Sequence, residues 1–368
     1  MDLSKAFDAI CHSLLLQKLT NIGLHKNAVS WVESYLHERK QKTRFTHATS
    51  EIATVTSGVP QGSILGPILF LIYTNELSNS FPEAKVISYA DDTQFLVTGK
   101  NIEIVEAKVE NLIDQAENWY KSNSLMSNPT KTEVLCFSPT RNGKVPIITC
   151  NKDGQKYQIK VREDLKILGV HIDSNMTWNT HLTKLRSKTI GIVKHMHRIN
   201  KFLPLKAKLN LYNSLIASHF SYADVIWSGC SNSAKEKLQT VQNFAIKSIL
   251  NRKKSDSATE ALKTLKYLNL SEKRNIHEAV FVHKTMSGKM PKNITEDYHK
   301  LQPRLNHRSA ENMILNIPAH KTSKYENSVL YRSVKTWNQL PTELKNEDTS
   351  TFKKKLQSHV TNMKYKTA

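Results

Sequence analysis

The stretch Val86-Ile87-Ser88-Tyr89-Ala90-Asp91-Asp92-Thr93-Gln94-Phe95-Leu96-Val97 sets two β-prone runs on either side of Ala90-Asp91-Asp92. This is the pattern of a hairpin with acidic residues at its turn. Adjacent carboxylates repel one another, so keeping both ionised at one turn calls for a cation. Hard oxygen ligands favour Mg²⁺ or Mn²⁺, and a pair of such ions stabilises the attacking and leaving oxygens of an in-line phosphoryl displacement. Read alone, the signal is weak, because an Asp-Asp turn is usually just solvated turn chemistry. The surrounding chain has to decide between the two.

Upstream, Asp8 to Leu19 has apolar residues at helical spacing and stops before Gly23. His25 to His37 repeats the pattern with Val29, Trp31, Val32, Tyr35 and Leu36, which predicts two packed helices. A short β-like stretch lies around Thr43 to Phe45. Ser57-Gly58-Val59-Pro60-Gln61-Gly62-Ser63 reads as a turn-rich loop, and Pro67 stands where a helix running through Leu77 can begin. Downstream, Ile102 to Tyr120 is helical by spacing, and Thr132 to Phe137, Tyr157 to Val161 and Lys166 to Ile172 read as strands. From Met176 onward the chain turns mostly helical. Ser138 to Gly154, with Pro139, Gly143, Pro146 and Gly154, has the composition of a boundary segment.

Charge divides the 368 residues unevenly. Residues 1–138 carry 12 Lys+Arg against 15 Asp+Glu, whereas residues 139–368 carry 41 against 17, so the whole net charge of +21 lies in the second part. A basic region of this size suits a polyanion, because each phosphate neutralised releases condensed counterions. Nucleic acid is therefore the expected partner, and Trp178, Trp227 and Trp337 are candidates for stacking on bases. Composition excludes wholesale disorder, with 39% apolar and 23% charged residues. Cys11, Cys136, Cys150 and Cys230 are scattered without a C-x-x-C pair, which argues against a disulfide framework or a zinc ribbon. The apolar run Ile64 to Tyr73 is too short to span a bilayer, and no secretory pattern opens the chain. The expectation is an intracellular, non-secreted protein with no membrane partner.

Five segments in order then resolve the ambiguity of the acidic turn. They are Asp2-Leu3-Ser4-Lys5-Ala6-Phe7-Asp8, Gly58-Val59-Pro60-Gln61-Gly62-Ser63-Ile64-Leu65-Gly66-Pro67, Tyr89-Ala90-Asp91-Asp92, Asn128-Pro129-Thr130-Lys131-Thr132, and Leu168-Gly169. This set closely resembles the palm of reverse transcriptases of non-LTR retrotransposons of the jockey-like, LINE-type group. The resemblance covers residues 1 to about 175. It continues more loosely through Tyr212 to Leu250, with His219-Phe220-Ser221-Tyr222 and Trp227-Ser228, and through Tyr331 to Pro341.

The resemblance implies an α+β fold: a polymerase palm of antiparallel sheet and packed helices, followed by a mostly α-helical thumb and C-terminal region. Its implied domains are palm core at 1–138, the end of the palm with a primer-grip-like hairpin at 139–175, a basic helical thumb-like region at 176–290, and a basic extension at 291–368. It further implies that Asp2, Asp91 and Asp92 ligate Mg²⁺ or Mn²⁺, with the Leu3 carbonyl as a further ligand. Phe7 would be the aromatic gate that leaves no room for a ribose 2′-hydroxyl, although a core aromatic fits the same position. Gln61 and Gly62, with Ala90, would face the incoming nucleotide. Lys131 would assist the departing pyrophosphate as a cation or general acid, and Leu168 and Gly169 would grip the primer end. The implied partners are an RNA template, a DNA primer and dNTPs, in a ribonucleoprotein of nucleus or cytoplasm.

The family pattern also has a fingers region and an endonuclease upstream, and Met1 directly precedes Asp2. The expectation is a truncated copy whose activity as a 368-residue chain is doubtful. A catalytically inactive remnant that only binds nucleic acid is the alternative. A template-independent nucleotidyl transferase or metal nuclease would also use paired carboxylates, but the Pro60-Gln61-Gly62 loop and the Tyr89 to Asp92 hairpin argue against it.

Overall fold

A computed structural model describes residues 1, 3–128, 131–137, 145–152, 155–303 and 312–366. The chain divides into two compact units, Met1–Glu163 and Asp164–Ala368.

The first unit opens with a turn at residues 4–8 and the antiparallel helices α1 (His12–Asn21) and α2 (Lys26–Leu36). Helix α1 starts at His12, not at Asp8 as the apolar spacing predicts. Lys5 adopts φ +49°, and both Asp8 and Ala9 donate their backbone N–H groups to the Lys5 carbonyl, so Ala6 and Ile10 reach the core from a turn. Four two-residue strands follow, β1 (Lys40–Gln41), β2 (Arg44–Phe45), β3 (Ala48–Thr49) and β4 (Ala53–Thr54), pairing β1 with β4 and β2 with β3. Helix α3 (Leu65–Thr74) carries Phe70 and Tyr73 into the core, both fully buried. Each such burial stabilises the fold by roughly 1.5–3 kcal/mol.

Strands β5 (Lys85–Tyr89) and β6 (Asp92–Leu96) form the expected hairpin. Helix α4 (Ile102–Ser122) begins where the Asn101 side chain accepts from the Ile104 N–H (2.9 Å), and it buries Leu112, Ile113, Ala116 and Tyr120 along one face. Leu112, Ala116 and Tyr120 join the core with α1 to α3, while Ile113, with Val109, packs on a three-stranded sheet in the order β7 (Glu133–Leu135), β9 (Gln155–Arg162), β8 (Ile148–Lys152), with β7 parallel and β8 antiparallel to β9. Strand β8 falls inside the segment read as a boundary; most of the remainder, residues 138–144, 153 and 154, lies outside the described residues. Glu106 and Glu110 on α4 accept the Ile147 and Thr149 N–H groups at 2.8 and 2.7 Å, satisfying donors that a β8 edge would leave open.

The second unit opens with the hairpin β10 (Asp164–Ile167) and β11 (Val170–Asp173), then turns helical at α5 (Asn179–Ile199), as the sequence predicts from Met176 onward. The run Lys166 to Ile172 is thus two strands, not one. Short helices α6 (Leu205–Tyr212), α7 (Ser218–Ser221) and α8 (Asp224–Trp227) lead to α9 (Asn232–Ile249), α10 (Ala258–Leu265), α11 (Leu270–Met286) and α12 (Lys292–His299). Helix α11 begins with a capping box of Asn269 and Glu272 and packs against α8, α9, α12 and the helices Val329–Asn338 and Thr349–Lys366.

Trp227 and Trp337 are buried in these helical cores, at 0% and 2% exposure, with their ring N–H groups bonded to the carbonyls of Tyr222 (2.9 Å) and Met313 (2.8 Å). Their expected role in base stacking is therefore corrected: they are anchors of the cores, and Trp178 is half-buried against the first of them. The four cysteines are free thiols. No helix of the described residues is long and apolar enough to cross a membrane.

His181 on α5 is buried against the Trp227 ring, with centroids 5.7 Å apart. Burial, reinforced by the charge of His171, lowers its pKa to about 4 from the ordinary 6.5. Folded His181 therefore stays neutral where the unfolded chain binds a proton, so stability is full above pH 6.5 and declines as pH falls from about 6.5 toward 4. The loss reaches at most roughly 3 kcal/mol. Urea unfolding at pH 7 and pH 5 should show this decline, and His181→Gln should flatten it.

Candidate active site

The acidic turn is set by strand register. Tyr89 pairs with Asp92, Ser88 with Thr93, and so on to Lys85 with Leu96, which leaves Ala90 and Asp91 as a two-residue loop. Ala90 takes φ +51°, a left-handed conformation that a residue with a Cβ adopts at a cost of roughly 1–2 kcal/mol. The consequence is that Asp91 and Asp92 sit at the tip, half-buried and exposed respectively, while Thr93 is buried beneath them.

Strand β6 is tied to the start of the chain. The Met1 amino group donates to the Thr93 carbonyl (2.7 Å), and the Thr93 N–H donates back to the Met1 carbonyl (3.4 Å). Leu3 forms a β-bridge with Ser127, and the Ser4 N–H donates to the Met126 carbonyl (2.8 Å). Met1 and Leu3, the two neighbours of position 2, are therefore anchored to the hairpin and to the segment after α4. Asp2 itself lies outside the described residues. Leu3 is buried at 6% exposure.

The turn-rich loop docks on residues 7–12 through its backbone. The Val59 N–H donates to the Phe7 carbonyl (2.9 Å) and the Gly58 N–H to the Ile10 carbonyl (2.8 Å). Side chains reinforce this: Ser57 Oγ donates to the Asp8 carbonyl (3.0 Å), Gln61 Nε2 donates to Asp8 Oδ1 (3.1 Å), and His12 Nε2 lies 2.8 Å from the Gly58 carbonyl. Phe7 is half-buried and stacks on Phe70 of α3, centroids 4.8 Å apart. Gln61 and Gly62 are exposed, with Gly62 at φ +80°. Phe7 and Gln61 thus belong to one docked assembly. Sequence reading missed Asp8, the last residue of the first motif, and His12, just beyond it, as its braces.

Gly58 allows that docking. Its φ is +87°, and a Cβ there would stand 2.7 Å from Asp8 Cα and 2.9 Å from the carbonyl oxygens of Asp8 and Phe7. Gly58→Ala should undock the loop and cost about 1–3 kcal/mol. Hydrogen exchange should then accelerate at the Gly58 and Val59 amides and stay unchanged in α4.

Lys131 is exposed, and its N–H, like that of Thr132, donates to the Asn128 carbonyl at 3.1 Å. In the second unit, Leu168 (φ +45°) and Gly169 (φ +86°) form the two-residue loop of the β10–β11 hairpin, the left-handed pair of a tight hairpin turn. Tyr222 braces it by donating its hydroxyl to the Leu168 carbonyl (2.5 Å), its ring standing 3.4 Å from where a Gly169 Cβ would be. Among the described residues, no three His, Cys, Asp or Glu side chains gather as a metal-binding cluster. Asp91 and Asp92 alone offer neighbouring hard oxygen donors at the hairpin tip, a donor set that suits Mg²⁺ or Mn²⁺ once a further carboxylate joins it.

The family model for reverse transcriptase (RNA-dependent DNA polymerase) matches residues 1–172. The chain is 25% identical over 250 residues to a probable RNA-directed DNA polymerase from transposon X-element of Drosophila melanogaster, a match covering 66% of this chain and 27% of that protein. It is 26% identical over 260 residues to the RNA-directed DNA polymerase from mobile element jockey of the same fly, covering 68% and 28%. A putative 115 kDa protein in type-1 retrotransposable element R1DM is 26% identical over 253 residues, covering 67% and 24%. Residues 1–172 are thus similar to the reverse transcriptase family, a family of enzymes. More narrowly, the chain is similar to the jockey, X-element and R1 polymerases of non-LTR retrotransposons, and it spans about a quarter of the length of those relatives.

Proposed function

We propose that the chain is an RNA-directed DNA polymerase, in which Asp2, Asp91 and Asp92 hold the divalent ions of nucleotidyl transfer onto a primer 3′-hydroxyl. The observation that carries this is the pairing of Met1 with Thr93, which ties the neighbour of Asp2 to the neighbour of Asp92 across 91 intervening residues. Mg²⁺ or Mn²⁺, when bound, supplies charge stabilisation of the attacking and leaving oxygens. The chain's own residues do the rest. Phe7, held by Phe70, limits the space at the sugar. Gln61 and Gly62, held by Asp8 and the Gly58 contacts, present a side-chain amide and an open backbone to the nucleotide, with Ala90 at the hairpin loop. The Leu3 carbonyl is a further oxygen donor. Lys131 offers a cation to departing pyrophosphate, and Leu168-Gly169, braced by Tyr222, supports the primer end.

In this reading residues 1–138 and 139–175 form the palm, 176–290 a thumb and 291–368 a basic extension, and the net +24 of residues 139–368 holds RNA template and DNA primer. Extension of a primed RNA template by dNTPs, dependent on Mg²⁺ or Mn²⁺ and lost on chelation, tests it. RNA binding with no incorporation by the folded chain would favour the inactive-remnant reading instead.

A further inference from the structure

Residues 1–138 carry net negative charge, yet residues 39–54 hold Arg39, Lys40, Lys42 and Arg44 against one carboxylate, Glu51. The arm built by β1 to β4 is solvent-exposed at every residue from Lys40 to Thr54. Its tip is the two-residue turn Thr46-His47 between the paired residues Phe45 and Ala48, with Thr46 at φ +52°. Its base is fixed by the Val55 N–H donating to the Arg39 carbonyl (2.7 Å). Lys40 opens β1, Arg44 opens β2 and Lys42 lies in the link between them, so the three exposed cations recur at every second position along the arm. None of the three has an acidic partner among the described residues.

At the base of the arm, the apolar spacing of α2 predicts that Trp31 packs inward, but Trp31 is 57% exposed. It stacks on Tyr35, with centroids 5.8 Å apart and planes within 6°, and the Arg39 guanidinium covers Tyr35 at 5.0 Å. The three groups make a preformed stack of ring, ring and guanidinium whose outer member is open to solvent. A row of unpaired cations continuing from an open aromatic face matches one ligand geometry, a nucleic acid strand with its phosphates along the row and an unpaired base on the ring. A fully paired duplex offers no free base to Trp31.

We propose that the arm Lys40–Thr54 and the Trp31 stack form a binding surface for single-stranded RNA, separate from the acidic hairpin. It rests on the proposed polymerase reading only in that the RNA is then the template strand.

The test is equilibrium binding of a fluorescein-labelled 12-nucleotide oligouridine to the full 368-residue chain across a salt series. The comparison uses a triple variant, Lys40→Gln, Lys42→Gln and Arg44→Gln, and separately Trp31→Ala. Because the triple substitution touches only exposed positions, its circular dichroism and melting should match the parent. The triple variant should bind about tenfold or more weakly, with a log-log salt slope shallower by about 2, at roughly 0.7 per lost phosphate contact. Trp31→Ala should bind about tenfold more weakly with its slope unchanged, the signature of lost stacking.

Unchanged affinity and slope in the triple variant would overturn the proposal. So would a loss confined to a blunt RNA–DNA duplex, which would make the arm a duplex contact. Binding needs no catalysis: arm variants that lose RNA while the parent chain incorporates no dNTP would leave the arm standing and sink the polymerase reading. Full incorporation by a parent chain whose arm variants bind normally would do the reverse.

Discussion

If the proposed polymerase reading holds, Asp91→Asn should lower dNTP incorporation on a primed RNA template by about 10²–10³-fold or more, while leaving the chain folded. The size of the loss follows from where the charge is needed. Phosphoryl transfer gathers negative charge between nucleophile and leaving group, and a carboxylate that fixes a cation there acts at the point of greatest demand. Asparagine keeps the size and one oxygen but not the charge. The folded state is indifferent to the exchange, because Asp91 lies in a two-residue loop at a hairpin tip whose pairing runs from Tyr89–Asp92 back to Lys85–Leu96. Substitutions at such positions stay within about ±0.5 kcal/mol. Primer extension alongside thermal melting separates the two effects.

The second large effect lies in the helical unit and concerns stability. Arg332, on the helix Val329–Asn338, forms an ion pair with Glu278 of α11, both side chains being largely buried at 15% and 5% exposure. Arg332 also donates to Ser228 Oγ, to the Val225 carbonyl (3.0 Å) and to the Asn327 carbonyl (2.9 Å). Glu278 accepts from Ser228 Oγ and Thr336 Oγ1, each at 2.8 Å. Gly229 fits against this knot because a Cβ there would fall 2.1 Å from the Asn327 oxygen. Removing only the arginine strands the Glu278 carboxylate in the interior. Arg332→Ala should cost about 3–5 kcal/mol, whereas replacing both partners with apolar residues of similar volume should cost far less. Chemical denaturation of the single and double variants reads this directly.

Legibility from sequence followed the range of the interactions. The Asp91-Asp92 hairpin, α2 and α4 were readable because alternation and helical spacing are local signals. The start of α1 was misread because what stops a helix at Asp8 is distant: the loop at Ser57, Gly58 and Val59 claims the carbonyls of Phe7, Asp8 and Ile10. The β10–β11 hairpin was readable as a Leu168-Gly169 turn by resemblance but looked like one strand by composition. Leucine rarely takes positive φ, and the brace that holds it there comes from Tyr222, 54 residues on. Trp227 and Trp337 looked available to bases because aromatic residues suit both stacking and cores, and only packing distinguishes the two. The Glu278–Arg332 pair left no local signal, and the exposure of Trp31 contradicted its own helical pattern.

The central claim is that Asp2 and the Asp91-Asp92 turn serve one metal site. The measurement that tests it most directly is Mn²⁺ affinity by electron paramagnetic resonance, with primed RNA template and dNTP present, for the parent chain, Asp2→Asn, Asp91→Asn and the double variant. A shared site predicts that each single change weakens binding and that the double falls well short of their sum, with a coupling of about 0.5–3 kcal/mol. Strictly additive losses, or an Asp2→Asn chain that binds Mn²⁺ as the parent does, would contradict it.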